Sequence, residues 1–256
     1  MFRPRLIPVL LLRKNALVKS VKFKNYNYIG DPINAVKIFN ELKADELVLL
    51  DIDATLEGTR ISSDVIKRVG EEANMPFSVG GGISSIEDIR EVISCGAEKA
   101  ILSSHAIKNP LLIKEAAENF GSSTIVICID VKKKFLGKSD YVFIKNGKEA
   151  TQYKPIEFAR IAEEMGAGEI IIQSIPKDGS MEGYDIDLIK SISNAVTIPT
   201  VALGGAGSLE DFRAAFQSGN ANGIAAGSFF VYQGNNKGVL INYPSREDII
   251  KLADLI

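Results

Sequence analysis

The sequence predicts an α/β protein: one (β/α)8 barrel of the TIM type, built from two homologous half-barrels and spanning residues 1–256. Three observations lead there. The segment Gly81-Gly82-Ile83-Ser84-Ser85-Ile86-Glu87-Asp88-Ile89-Arg90 returns 123 positions later as Gly204-Gly205-Ala206-Gly207-Ser208-Leu209-Glu210-Asp211-Phe212-Arg213. At the same offset Ala44-Asp45-Glu46-Leu47-Val48 returns as Ala167-Gly168-Glu169-Ile170-Ile171. A period this long lies outside those of solenoids and propellers, so each copy is half of one structure. Within each half, short apolar runs alternate with amphipathic helical runs, the pattern of parallel βα units. The 256 residues match the length of about 250 typical of such a barrel.

Eight strand-like runs follow in order: Leu6–Leu11, Leu47–Asp51, Phe77–Val79, Ala100–Ser103, Ile125–Asp130, Ile170–Ser174, Thr200–Leu203 and Gly223–Ala226. Asp31-Pro32 and Asn109-Pro110 each place a capping side chain before a proline at the first helical position. Ser84-x-x-Glu87 reads as a capping box. Two connections are longer than the barrel needs. Val21–Gly30 carries Phe23, Tyr26 and Tyr28 and reads as a lid. Lys132–Tyr153 contains Tyr141-Val142-Phe143-Ile144 before Asn146-Gly147, a hairpin signal. Both follow strands on the face where barrel enzymes keep their chemistry.

Hydrophobic content of 46% and charged content of 24% suit a packed core with a solvated shell. A net charge of −2 gives no basic face for nucleic acid, and Lys132-Lys133-Lys134 reads as a solvated loop. Neither a signal peptide nor a membrane span is expected, which makes the cytoplasm the default compartment. Cys95 and Cys128 read as lone buried thiols, and no cofactor or metal is implied.

Glycine pairs after strands three and seven, Gly81-Gly82 and Gly204-Gly205, leave backbone N–H groups open to an anion at the start of a helix. Ser103-Ser104 and Gly227-Ser228 add donors at the ends of strands four and eight. Gly179, in Asp178-Gly179, supports the second site as another close-approach turn. Two such sites imply a ligand with a phosphate at each end, the plainer alternative being that the glycines only make tight βα turns. His105, the only histidine, stands at the mouth of strand four as a phosphate contact or as no more than a neighbour of one.

Taken with Gly30-Asp31-Pro32, Pro76-Phe77-Ser78-Val79-Gly80-Gly81-Gly82-Ile83, Gly166-Ala167-Gly168-Glu169-Ile170 and Gly183-Tyr184-Asp185, these motifs resemble the HisF-type cyclase subunit of imidazole glycerol phosphate synthase. The resemblance covers nearly the whole chain. It implies a lyase-type synthase subunit that cyclises a bis-phosphorylated ribosyl aminoimidazole. The ammonia would come from a HisH-like glutaminase at the far end of the barrel. Two aspartates ending strands one and five serve that family as acid and base. Asp130 matches the second, with a strand-end helix cap as its plainer reading. Leu11 occupies the first, and no carboxylate lies between Met1 and Gly30 to replace it. Arg5, Glu46, Lys99 and Glu169 stand at strand starts, matching four residues that form the family's ammonia gate, with solvated charges as the plainer alternative.

An ammonia inlet kept beside half an acid–base pair resembles a paralogous branch, the acetamidino-modification group of surface-polysaccharide (lipopolysaccharide) synthesis. Arg3-Pro4-Arg5-Leu6-Ile7-Pro8-Val9-Leu10-Leu11-Leu12 and Val21-Lys22-Phe23-Lys24-Asn25 carry that likeness. It implies a glutaminase partner and a sugar amidotransferase that receives the ammonia. Two alternatives stand beside it. One is a working cyclase of histidine biosynthesis with an altered acid. The other is a phosphosugar isomerase of the sister barrel, which needs two mouth carboxylates and no gate.

Overall fold

Eight parallel strands close on themselves in chain order. The computed structural model describes residues 3–134, 139–234 and 238–253. The barrel strands are β1 (Arg5–Arg13), β2 (Leu47–Asp51), β3 (Phe77–Gly80), β4 (Lys99–Leu102), β5 (Ile125–Lys133), β6 (Glu169–Ser174), β7 (Thr200–Leu203) and β8 (Gly223–Ala226). Closure comes from β8 on β1, with Arg5 opposite Gly223 and Pro8 opposite Ala226. The half-barrels also meet where Ala100 of β4 pairs with Ile125 of β5.

An amphipathic helix follows each strand: α1 (Pro32–Glu41), α2 (Ser63–Glu72), α3 (Ile86–Ser94), α4 (Leu111–Phe120), α5 (Pro155–Glu164), α6 (Ile186–Ser193), α7 (Leu209–Gln217) and α8 (Arg246–Ala253). Their apolar stripes pack on the outer sheet face through residues such as Phe39, Ile89, Phe158 and Phe212, all fully buried. A second cluster fills the barrel itself, including Ile7, Val9, Val48, Ile101, Val126 and Val201. Cys95 and Cys128 are buried free thiols. Among the described residues no helix is long and apolar enough to cross a membrane.

Asp31 caps α1 as expected, accepting from the N–H groups of Ile33 and Asn34 at 2.9 and 3.1 Å. The other two starts fall one residue away from where the sequence suggested. The capping box of α3 is Ser85 with Asp88, not Ser84 with Glu87. Asp88 reaches back to both serine N–H groups, but only the Ser85 hydroxyl meets the N–H of Asp88. Ser208 with Asp211 repeats the arrangement on α7. Asn109 ends a short helix, Ser104–Lys108, and Pro110 flanks α4 without a side-chain cap.

The expected loop at Val21–Gly30 is a hairpin. Strand β1 runs past Leu11 to Arg13 and returns as an antiparallel strand, Ala16–Val21, with Leu11 opposite Val18. A second turn leads into Lys24–Gly30. Both residues of each turn, Lys14-Asn15 and Lys22-Phe23, are left-handed, the geometry that matches strand twist. The second half repeats the device. Strand β5 extends to Lys133 and pairs with Asp140–Ile144, which returns through Asn146-Gly147 to Glu149–Ala150. Residues 135–138 of that expected insertion lie outside the described residues.

Candidate active site

At the N-terminal opening, strand starts from around the barrel bring four charges together. Arg5, Lys99 and Glu169 are the first residues of β1, β4 and β6, one position before the strand starts that the sequence suggested, and Glu46 directly precedes β2. Glu46 and Glu169 are 4% and 6% exposed, so their charges need partners. Arg5 Nη1 meets Glu46 Oε2 at 2.5 Å, and its Nη2 donates to Glu169. Lys99 Nζ bridges the same two carboxylates at 3.1 and 3.0 Å. The buried Ser78 hydroxyl, 3.0 Å from Glu46 Oε1, adds a fifth contact that the sequence did not single out. Two cations and two anions thus form a closed ring over the opening, and the apolar cluster of the barrel interior lies beyond it.

The C-terminal ends of the strands open into a cavity of about 130 Å³, beside a smaller one of about 20 Å³. Gly81, Gly82, Ser103, Ser104, His105 and Asp130 line the larger; Gly179, Gly204, Gly205, Gly227 and Ser228 line the smaller. Leu11 lines both, so the leucine lies where the first carboxylate was expected. Each glycine pair also has a packing reason. A Cβ on Gly82 would lie 1.9 Å from the Thr59 carbonyl oxygen, and one on Gly205 2.2 Å from that of Gly183. Ser104 is already engaged, its hydroxyl oxygen accepting from Lys145 N–H at 3.0 Å.

The two hairpins roof the cavity. Phe23 and Tyr26 line it, whereas Tyr28 points away and is 70% exposed. Arg13, ion-paired with Asp53 at 2.8 Å, lies 4.6 Å from the Tyr26 ring centre and ties the hairpin to the loop after β2. From the other side Asn146 donates to the Ile52 carbonyl, and Lys132 Nζ donates to that of Gly147 at 2.5 Å.

Asp130 is the most perturbed carboxyl here. Burial, with the Asp178 carboxylate nearby, pushes its carboxyl up to about 7. A carboxyl titrating there is suited to exchange protons near neutral pH. Sequence reading named Asp178 only as part of the Asp178-Gly179 turn and missed Lys19. Asp178 accepts from Ser20 Oγ, Phe23 N–H and Gln173 Nε2 at 3.0, 3.4 and 3.4 Å. Lys19, 5% exposed, donates to the Val9 carbonyl at 2.7 Å. The available signal was the Lys19-Ser20 pair between Ala16-Leu17-Val18 and Val21, where polar residues interrupt a strand-like run.

The fold and the mouth define a class: parallel barrels that keep a cavity at the C-terminal ends of their strands. Within it, the chain belongs to the histidine biosynthesis protein family, whose profile matches residues 5–237. A Leptospira interrogans protein, provisionally named imidazole glycerol phosphate synthase subunit HisF, is 48% identical over 248 residues, covering 97% of this chain and 98% of that protein. A Vibrio vulnificus protein, provisionally named subunit hisF3, is 45% identical over 255 residues, with 100% and 98% covered. A Pseudomonas aeruginosa protein, provisionally named subunit hisF2, is 43% identical over 252 residues, with 98% and 99% covered.

Proposed function

We propose that this chain is the barrel subunit of a glutaminase-coupled synthase. Ammonia enters at the Arg5–Glu46–Lys99–Glu169 ring and crosses the barrel interior to the mouth. The ring carries this reading: four charges from four strands neutralise one another at an opening that leads to an apolar interior. Ammonia in water is protonated and no longer nucleophilic, and a dry passage keeps it neutral. A HisH-like glutaminase docks on the ring face as the source.

The acceptor is a sugar amidinated in surface-polysaccharide synthesis, reached through a sugar amidotransferase. Support comes from Leu11, which removes one of the two proton-handling groups of a cyclase, and from the numbered, paralogous names among the relatives. The second reading is a working cyclase of histidine biosynthesis, favoured by Asp130 and both glycine pairs at one mouth.

A rate measurement separates them. The isolated chain, given ammonium and the bis-phosphorylated ribosyl aminoimidazole, is expected to turn over at least about 10²-fold more slowly than a normal cyclase, the usual weight of one acid–base group. Leu11→Asp is expected to recover part of the loss. A wild-type rate within about tenfold of a normal cyclase would sink the conduit reading.

A further inference from the structure

We propose that the two mouth hairpins form a cationic docking face, on which the acceptor amidotransferase seats an acidic surface. This rests on the reading that ammonia leaves the barrel at the mouth, and it names the surface that holds the receiving enzyme.

The net charge of −2 conceals a division. Residues 13–30 hold five cations, Arg13, Lys14, Lys19, Lys22 and Lys24, and no carboxylate. Residues 132–134 and 139–154 hold six lysines against Asp140 and Glu149. These stretches together carry +9, which leaves −11 for the rest of the chain. They are the two hairpins over the mouth, so one face of the molecule gathers the positive charge. Lys132 and Lys133, expected in a solvated loop, end strand β5 instead. The hairpins also meet, since a Cβ on Gly147 would lie 3.6 Å from Phe23 Cδ2.

Little of this charge is neutralised. Among the described residues, the ion pairs of these stretches are Arg13 with Asp53 and Lys145 with Glu149. Lys134 and Lys154 converge on one aromatic ring, their ammonium groups 3.7 and 3.6 Å from the centre of Tyr141. Partial burial and the like charge of Lys24 draw the Lys132 ammonium down, so cations of the two hairpins feel each other. Such self-repulsion is relieved when a surface of opposite sign is brought against it.

The charge does not serve a ligand inside the cavity. Lys14, Lys22, Lys24, Lys133 and Lys148 are exposed, and none of them lines either space. Val21 and Tyr28, 37% and 70% exposed, lie on the first hairpin and add the apolar and aromatic contact that protein interfaces use. A long polyanion such as nucleic acid would also meet the −11 of the remaining molecule. A folded partner seated over the mouth meets the cationic side alone.

The test is biolayer interferometry of the immobilised barrel with the purified amidotransferase and, separately, with the glutaminase. Wild-type affinity for the amidotransferase is expected to fall at least about tenfold between about 50 and about 300 mM NaCl. Reversing four exposed charges, Lys22→Glu, Lys24→Glu, Lys133→Glu and Lys148→Glu, is expected to weaken it at least about tenfold at low salt. Glutaminase affinity is expected to stay unchanged. If the reversal fails to fold, Lys22→Gln, Lys24→Gln, Lys133→Gln and Lys148→Gln together replace it, with a loss in the same direction. An amidotransferase that does not bind, or that binds wild type and folded variant equally, overturns the proposal. Displacement of the amidotransferase by single-stranded DNA at about 150 mM NaCl overturns it in favour of a nucleic-acid face. Self-association of the wild-type chain that the reversal abolishes overturns it in favour of a second copy. The glutaminase arm separates the two readings. Its loss sinks the conduit and leaves the docking face standing, whereas salt-insensitive amidotransferase binding sinks the docking face alone.

Discussion

Asp130 and Lys19 are both held against their own stability. The Asp130 carboxyl titrates at about 7 in the fold, against an ordinary 3.8. A raised folded value means that stability is fully present below about 3.8 and is lost as the pH climbs through about 7. Asp130→Asn is therefore expected to stabilise the chain at pH 8 by about 2–4 kcal/mol in urea unfolding, with little effect at pH 4. Lys19 runs the other way, titrating at about 8 against 10.5. Stability falls as the pH drops from about 10.5 to about 8 and is flat below. Lys19→Met should stabilise the ligand-free protein at pH 7 by up to about 3 kcal/mol. Gains of this kind at a cavity wall are the mark of residues kept for function. Sequence could find Asp130, a strand-end acid matching a family motif. It could not find the burial of Lys19, because that depends on a hairpin folding the lysine back over β1.

At the scale of elements, helix starts and barrel strands were legible because each has a local cause: a cap, a proline, an apolar run bounded by glycine. The hairpin at Ala16–Gly30 was not, since Lys24-Asn25-Tyr26-Asn27-Tyr28 hides a strand behind asparagines that usually signal loops. Its counterpart after β5 announced itself through Asn146-Gly147. The glycine turns carry their own prediction. Gly82 and Gly205 have φ of +69° and +118°, and backbone carbonyl oxygens fill the space a side chain would take. Gly82→Ala and Gly205→Ala should each destabilise by at least about 2 kcal/mol, from left-handed strain plus displacement of the crossing chain. Denaturant midpoints check this. A neutral alanine at either position would remove the packing role and leave an anion-binding role as the sole reason for glycine there.

Across the whole molecule the internal repeat is the organising fact. It places a capping box, a glycine pair and an extended strand with its hairpin in each half. The halves differ where function is concerned: Leu11 on β1 and Asp130 on β5 are lone occupants of what the resemblance implies is a pair. The ring at the other end was legible as four charges at four strand starts. That each carboxylate is bridged by both cations follows only from barrel closure. Lys99→Met would leave Glu46 and Glu169 sharing Arg5 alone, an uncompensated buried charge at the opening. The decisive measurement is product formation by the Lys99→Met barrel rebuilt with its glutaminase and acceptor enzyme, driven by glutamine or by added ammonium. We predict that the glutamine-driven reaction falls at least about tenfold while the ammonium-driven one is unchanged. If both stay at the wild-type rate, or if no glutaminase binds the ring face, the four charges are surface decoration and the conduit account is wrong.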